Sequence, residues 1–245
     1  MLQRITLYFV ILLVGFSAQA QDRDKMKLAG LVPGEITFEN GKTMKGYIRQ
    51  VGIQVINGVT MEAKWRLQHQ VLFMMEHIFE RRETFDKNCF IELQPKDLEQ
   101  IKYNGEVYRK LIFLDHPNRY CCEPRSVNTE VLVKVIAEER INLYEYYYRP
   151  CSNNAQVSML NEIDDPSEPD ILWNTGNDKK AKRIAELNIN KQLRSCPVVM
   201  EKLRNNGYIP DAVKPSKSLK IKLRNKYRKQ VMLMAVADYN SGVCE

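Results

Sequence analysis

The stretch that most constrains the fold is residues 131–149, which reads VLVKVIAEERINLYEYYYR. Two runs rich in Val, Ile and aromatic residues flank a short polar break, Glu138-Glu139-Arg140. β-Branched and aromatic side chains favour extended backbone, so each run predicts a strand and the break predicts a turn. The first run is apolar on both faces apart from Lys134, which predicts a strand covered on both sides. The second run places three tyrosines on one face: Tyr144, Tyr146 and Tyr148.

Three Asn-Gly dipeptides lie between β-like runs, at Asn40-Gly41, Asn57-Gly58 and Asn104-Gly105. Asn-Gly is typical of type I′ hairpin turns, because both central residues of that turn need positive φ. With the central hairpin, these turns predict a β-rich part over residues 21–150.

The region between the second and third turns has helical spacing instead. Apolar residues recur every three or four positions through LQHQVLFMMEHIFE, which predicts a helix from about Lys64 to Arg82. Its two histidines, His69 and His77, would be able to share a face, but solvated or core histidines are the favoured interpretation.

The C-terminal part begins after a break in periodicity. Asn, Pro and clustered acidic residues from Cys151 to Asn177 predict a surface loop or linker, and the residue frame of a calcium loop is missing from it. From Asp178 onward the pattern is helical, so residues 178–245 are predicted as a helical C-terminal region. A short helix runs from Val198 to Arg204, and a last helix carries a stripe of apolar residues: Leu219, Leu223, Tyr227, Val231 and Met234. The expected fold is therefore α+β, with a mainly antiparallel β-hairpin-rich N-terminal part and a C-terminal helical part.

The N-terminus predicts export. Arg4 precedes an apolar run, Ile5 to Phe16, and Ala18-Gln19-Ala20 is a small-x-small cleavage site, so residues 1–20 are predicted to be a signal peptide cleaved after Ala20. An uncleaved anchor helix is the alternative, but the apolar run is shorter than the ~20 residues of a membrane span. Cleavage removes one Arg and lowers the formal net charge from +7 to +6. No transmembrane span is predicted in the remaining chain.

The cysteine count agrees with export. An even number of cysteines in an exported chain favours disulfides, and all six follow the predicted cleavage site: Cys89, Cys121, Cys122, Cys151, Cys196 and Cys244. The one specific pairing predicted is Cys196 with Cys244, which would tie the last residues to the helical region. The chain has no CxxC motif and its three histidines are scattered, so no metal site is predicted.

The most distinctive chemical feature is a basic run near the C-terminus. Eight positive charges fall within residues 214–229, with no acid among them. One interpretation is a binding surface for an anionic partner (an acidic envelope glycan, lipid headgroups or an acidic protein), with Lys217, Lys220, Arg224 and Arg228 as the candidate residues. Export disfavours nucleic acid as the partner. The alternative interpretation is the solvated outer face of a core helix.

Sequence motifs for catalysis are missing. The chain has no GxSxG, HExxH, P-loop or Gly-rich nucleotide motif, and no cofactor is predicted. A Cys–His hydrolase competes with disulfide pairing of the cysteines. A glycosidase carboxylate pair cannot be identified, because its acids meet only in the fold. The tyrosine strand has two interpretations, a stacking platform for sugars or peptides and a half-buried strand face, and the second is favoured.

The order of motifs resembles a group of exported proteins of Bacteroidetes bacteria that has no established activity. The matching residues are Gly34-Glu35-Ile36, Pro95-Lys96-Asp97-Leu98, Tyr103-Asn104-Gly105-Glu106-Val107-Tyr108, Val131 to Tyr144, Cys196-Pro197 and Tyr239-Asn240. The chain departs from the group at Glu138-Glu139-Arg140, where the group often has Gly. The resemblance implies export and the fold, and it implies no catalytic residue.

These features lead to three hypotheses about function. The leading one is a non-enzymatic envelope or extracellular protein, in the periplasm or outside the cell, that binds or supports an anionic envelope component or another envelope protein. The alternative is a hydrolase acting on an envelope polymer, which a deep cleft lined by two close carboxylates would favour. In the third, the basic helix docks on the protein's own β part and has a structural role only.

Overall fold

A computed structural model of the chain describes residues 24–27, 29–56, 59–115, 127–147, 169–208 and 220–244. The strands are β1 (Leu31–Phe38), β2 (Thr43–Arg49), β3 (Ile53–Ile56), β4 (Val59–Glu62), β5 (Val71–Met75), β6 (Ile91–Leu93), β7 (Leu98–Tyr103), β8 (Glu106–Asp115), β9 (Val127–Ala137), β10 (Ile141–Tyr146), β11 (Asp170–Thr175) and β12 (Lys180–Arg183). The helices are α1 (Lys64–Leu67), α2 (Glu76–Arg81), α3 (Ile189–Gln192), α4 (Pro197–Arg204) and α5 (Lys220–Asn240). The predicted α+β class is confirmed.

Ten of these strands form one sheet, in the order β6-β5-β2-β1-β7-β8-β9-β10-β11-β12, and β3 and β4 form a separate hairpin. Neighbours along this order are antiparallel. Strand β12 also pairs with β8 in parallel, with Lys180 opposite Ile112 and Ala181 opposite Phe113. Strands β8 to β12 therefore close on themselves, and we call them the five-strand ring.

The interior of the five-strand ring is filled by alternate residues of its strands. Side chains point to opposite faces along a strand, so every second residue faces inward. The buried cluster draws on all five strands: Leu111, Phe113, Val131, Val133, Tyr144, Tyr146, Leu172 and Ala181. Tyr144 and Tyr146 are each 1% exposed, so the half-buried interpretation of the tyrosine strand underestimates their burial, and a stacking platform on these two rings is wrong. Tyr148 lies outside the described residues.

A buried polar network lies at one end of the five-strand ring. The Asn142 amide donates to Asn174 Oδ1 and to the Gly176 carbonyl, both at 2.9 Å. The Tyr144 hydroxyl donates to the same Asn174 oxygen at 3.2 Å, and the Asn174 amide donates to the Asp178 carbonyl. Buried polar groups are costly without partners, so this network favours one register between β10 and β11.

Strands β8 and β9 separate two cores. Val131 and Val133 face the interior of the five-strand ring, whereas Leu132 belongs to a second core on the opposite face of the sheet. That second core also contains Val32, Ile36, Ile48, Leu67, Val71, Phe73, Leu93, Leu98, Ile101, Tyr103 and Tyr108. The prediction that the first run of the central hairpin is covered on both sides is confirmed for Val131, Leu132 and Val133, which are all 0% exposed, but not for Ile136 near its end, which is 46% exposed.

Two glycines face each other where β1 pairs with β2. A Cβ atom on Gly34 would lie 2.6 Å from Ile48 Cδ1, and a Cβ atom on Gly46 would overlap the carbonyl oxygen of Met74. The close approach of neighbouring side chains and backbone to these positions therefore requires glycine.

Helices α3 to α5 cover the outer face of β10 and β11. This third core joins sheet residues with residues of the helices and of the segments next to them: Ile141, Leu143, Ile171, Trp173, Ile184, Leu187, Leu193, Cys196, Val199, Tyr208, Met232, Ala235 and Val236. The predicted pair Cys196 and Cys244 forms a disulfide across it, with 4.9 Å between the Cα atoms. Cys89 is buried and free, and Cys121, Cys122 and Cys151 lie outside the described residues.

In the described ranges, no helix is both long enough and apolar enough to cross a membrane.

The hairpin predictions agree with the pairing. Asn104 and Gly105 both have positive φ, 52° and 78°, as a type I′ turn between β7 and β8 requires. At the first site only Gly41 has positive φ, 77°, and the turn is a longer one, because the Phe38 N–H donates to the Lys42 carbonyl. Strands β3 and β4 pair as predicted, and Asn57-Gly58 lies outside the described residues.

The helix predicted from Lys64 to Arg82 is wrong. That stretch contains α1, strand β5 and α2, so His69 lies in the turn before β5 whereas His77 lies in α2. The helical spacing is produced by a strand that is largely buried between β2 and β6, followed directly by a short helix.

The C-terminal half contains two strands that the periodicity does not predict. Strand β11 falls within residues 151–177, and β12 interrupts the stretch after Asp178, where helical spacing was the wrong interpretation. The stripe on the last helix is also shifted: Met234 is 42% exposed, while Met232, Ala235 and Val236 face the core.

Candidate functional site

The two halves of α5 have different surroundings. In the second half, Met232, Ala235 and Val236 are at most 1% exposed and pack on the outer face of β10 and β11. The first half, Lys220 to Arg228, contains most of the basic run, and Arg228 is exposed. We call this first half the basic segment. Helix α5 therefore packs on the sheet through its second half, residues 229–240, which we call the fastened half, and it is basic in its first half.

Polar contacts reinforce the fastened half. The Asn240 side chain accepts a hydrogen bond from the Ile141 N–H at 3.1 Å and donates to the Ile141 carbonyl at 2.8 Å, so it pairs with β10 as a neighbouring strand would. The Tyr239 and Ser195 hydroxyls are 3.1 Å apart. At the boundary with the basic segment, Lys229 Nζ donates to the Pro169 carbonyl at 2.7 Å. These contacts fix the axis of α5 relative to the sheet.

Asp238 links α5 to α4 and to the residues that follow it. Its carboxylate accepts hydrogen bonds from Lys202 Nζ at 2.7 Å and from the Tyr208 hydroxyl at 2.8 Å. The Lys202 hydrogen bond is the main cause of a lowered Asp238 pKa, and the Tyr208 hydrogen bond adds to it. Burial and this carboxylate together raise the pKa of the Tyr208 hydroxyl above its usual value. Asp238 is thus engaged by α4 and the segment after it.

The structure places the predicted anion-binding residues as follows. Lys220 and Arg224 belong to α5, and Arg228 is exposed at the end of the basic segment. Lys217 lies outside the described residues. The three residues within α5 are spaced by four, so they follow one another along one side of the helix.

A second group of polar side chains crosses β8, β9 and β10. Tyr108, Lys134 and Glu145 lie side by side in register, and Glu106 and Tyr147 flank this row. Lys134 Nζ lies 2.7 Å from a Glu106 oxygen and 3.4 Å from a Glu145 oxygen, so these two oxygens are at most 6.1 Å apart. The Tyr108 hydroxyl donates to Glu106 and the Tyr147 hydroxyl donates to Glu145, each at 3.0 Å. We call these five residues the Glu–Lys–Glu cluster.

Burial and hydrogen bonds shift the pKa values of four of the five residues in the Glu–Lys–Glu cluster. Burial raises the Glu106 pKa, but hydrogen bonds from Lys134 and Tyr108 outweigh it, so the pKa lies below its usual value. The Glu106 hydrogen bond is the main cause of a raised Lys134 pKa. Burial and the adjacent carboxylates raise the pKa of the Tyr108 and Tyr147 hydroxyls. At neutral pH the ammonium and the Glu106 carboxylate are therefore charged, and the phenols are protonated.

The charge state of Glu106 does not match that of a glycosidase general acid. A general acid in such a pair needs a raised pKa, and the Glu106 pKa is lowered by the ammonium that it shares with Glu145. The cluster instead satisfies half-buried charges on the face of β8 and β9 that carries the second core. Gln68 reinforces its edge, because its side-chain oxygen accepts the Tyr147 N–H at 2.6 Å.

Sequence reasoning missed the Glu–Lys–Glu cluster. Its only sequence signal is a repeated Glu-x-Tyr, at Glu106-Val107-Tyr108 and Glu145-Tyr146-Tyr147, which places each carboxylate beside a phenol on one strand face. In the sequence, Lys134 is visible only as a polar interruption in an apolar run.

The described surface also has a shallow depression of about 350 Å³ between β2, β5 and α2. It is lined by Met44, Lys45, Met75, Glu76, His77 and Glu80. In the described ranges, no three His, Cys, Asp or Glu side chains are grouped closely enough to hold a metal ion.

Comparisons of the chain with protein-family models, with curated proteins and with solved structures found no match.

Proposed function

We propose that this chain is an exported, non-enzymatic protein of the cell envelope or extracellular space that binds an anionic envelope component through the basic segment of α5. The observation that carries the proposal is the division of one helix into a fastened half and a basic half. A helix whose far end is held by the sheet, by Asn240 and by the Cys196–Cys244 disulfide can present a dense run of positive charge to a partner.

Charge and cysteine chemistry support the same proposal. The formal net charge, +7 for the full chain and +6 without residues 1–20, attracts anionic partners, and the 26 residues between Asp211 and Asp238 contain no acid that would neutralise the run locally. A disulfide is typical of oxidising compartments outside the cytoplasm. Export through a signal peptide at residues 1–20, cleaved after Ala20, is part of the proposal, as is the resemblance to exported Bacteroidetes proteins.

The test is sedimentation of the mature protein with isolated cell envelopes at low and at high salt. Electrostatic binding predicts that the protein sediments at low salt and is released at high salt, because salt screens exposed charges. The variant Lys220→Glu/Arg224→Glu/Arg228→Glu should stay in the supernatant at both salt concentrations.

The matched control reverses the same number of charges elsewhere. Lys42, Lys87 and Lys96 are exposed lysines outside α5. The variant Lys42→Glu/Lys87→Glu/Lys96→Glu has the same net charge as the α5 variant and should still sediment at low salt. If the α5 variant sediments like the wild type, or if both variants lose binding equally, the basic segment is not the binding surface.

A further inference from the structure

The basic positions of α5 form two rows on opposite sides of the helix. An α-helix advances about 100° per residue, so positions four apart lie close to one another. Lys220, Arg224 and Arg228 form the first row, and Lys222 and Lys226 form a second row about 180° away. The basic segment therefore carries positive charge on both sides of its axis.

The apolar positions of the basic segment do not form a broad face. At about 100° per residue, Leu223 and Tyr227 lie between the two basic rows on one side, and Ile221 lies between them on the other side. A helix that lies in a lipid surface needs a wide apolar face opposite its charges. A flat bilayer would meet only one of the two basic rows at a time.

The basic segment is also destabilised by its own charges. Lys220–Arg224, Lys222–Lys226 and Arg224–Arg228 are like-charge pairs at i,i+4 spacing, which oppose helix formation. The first turn contains no acid, so positive charges lie at the positive end of the helix dipole. A partner that brings negative charge to both rows removes these repulsions and thereby stabilises the helix.

We infer that the partner of α5 is a flexible, chain-like polyanion, of the chemical class of acidic polysaccharides, which contacts both basic rows and stabilises the first half of the helix. The inference rests on the proposed function and narrows its partner from any anionic component to a polymer that can follow a curved surface. A lipid bilayer is the competing occupant.

The test is hydrogen exchange of the full mature protein, followed by mass spectrometry, at low salt. The probes are heparin, a linear sulfated polysaccharide, and vesicles of phosphatidylcholine and phosphatidylglycerol. Heparin should slow exchange in residues 220–228 by about fivefold, the factor expected when several like-charge pairs are neutralised. Exchange in β8 to β12 should stay unchanged, and vesicles should have no effect.

Two double variants test the involvement of both rows. Lys220→Gln/Arg224→Gln neutralises the first row and Lys222→Gln/Lys226→Gln neutralises the second. A chain that follows both rows loses heparin affinity in each variant, and the slope of log K against log salt falls by about 2 in each. The control Lys42→Gln/Lys87→Gln should bind heparin with the wild-type salt slope.

The outcomes separate this inference from the proposed function. Protection by vesicles but not by heparin overturns the polymer inference and leaves an anionic partner in place. Equal protection by both probes, or loss of affinity in only one row variant, also overturns the inference, because either result describes a single charged face. If neither probe slows exchange in residues 220–228, and no variant loses sedimentation with envelopes, both proposals are overturned.

Discussion

Removal of the Cys196–Cys244 disulfide should destabilise the protein by an amount that follows from the length of the loop it closes. The two cysteines are 48 positions apart, and chain-entropy arguments give about 4 kcal/mol for closing a loop of that length in the unfolded chain. Cys196 is fully buried in the core between α5 and the sheet, so its replacement also removes packing there. The perturbation is the variant Cys196→Ala/Cys244→Ala.

Urea unfolding followed by circular dichroism measures the effect. With a urea dependence of about 2 kcal/mol per molar, a loss of about 4 kcal/mol lowers the unfolding midpoint by about 2 M. Addition of a reductant to the wild type should produce most of the same shift. Any shift that the reductant still causes in the double variant belongs to other cysteines, so it is subtracted.

Two results would refute this reasoning. One is an oxidised wild type whose midpoint equals that of the double variant. The other is alkylation of both cysteines in the non-reduced, folded protein, detected by mass spectrometry.

Three further perturbations test the packing and the polar contacts. Gly46→Ala should cost about 1–3 kcal/mol of unfolding free energy because its Cβ overlaps backbone, whereas Gly52→Ala, with only ordinary contact distances, should cost almost nothing in the same urea titration. Asn240→Leu should lower the melting temperature and speed exchange at the start of β10, since two backbone groups lose their partner; unchanged exchange there would contradict the pairing. Lys134→Met should destabilise the protein at neutral pH, and the difference from wild type should shrink as the pH falls through the lowered pKa of Glu106, below 4.5, because that carboxylate stabilises the fold only while it is charged. A difference that stays constant down to acid pH would exclude Glu106 as the cause.

The turns were the part of the fold that the sequence predicted best. Asn104-Gly105 adopts the two positive φ angles that its turn type demands, and the polar break at Glu138-Glu139-Arg140 separates β9 from β10. Such turns depend on residues next to one another in the chain, so local preferences decide them. The burial of Val131, Leu132 and Val133 was equally predictable, since consecutive apolar residues of a strand face opposite sides of the sheet and both sides then have to be covered.

Strands β5 and β12 could not be read in the same way, because distant contacts decide them. Residues 71–75, VLFMM, have no alternation that separates a strand from a helix, and pairing with β2 and β6 selects the strand. Strand β12 reads KAKR, with only Ala181 buried, and its own propensity for a strand is low. It is extended because β11 and β8 supply hydrogen-bonding edges on both of its sides.

The candidate site residues also differ in whether the sequence alone could predict them. The charge of the basic segment is visible in the sequence, because it depends on composition alone. The Glu–Lys–Glu cluster depends on the register of three strands, which places Tyr108, Lys134 and Glu145 opposite one another, and no spacing rule within one strand reveals that register.

The parallel pairing of β8 with β12 has a consequence for how fast the chain folds. Ile112 and Lys180 are 68 positions apart, so the ring closes through one of the longest-range contacts in the sheet. The entropy of ordering the intervening chain is lost before that contact contributes, and such contacts slow folding. We therefore expect the hairpins around Asn104-Gly105 and Glu138-Glu139-Arg140 to form first and β12 to dock last. Until it docks, β8 and β11 each present an open edge to other chains, so the protein is most prone to aggregate late in folding.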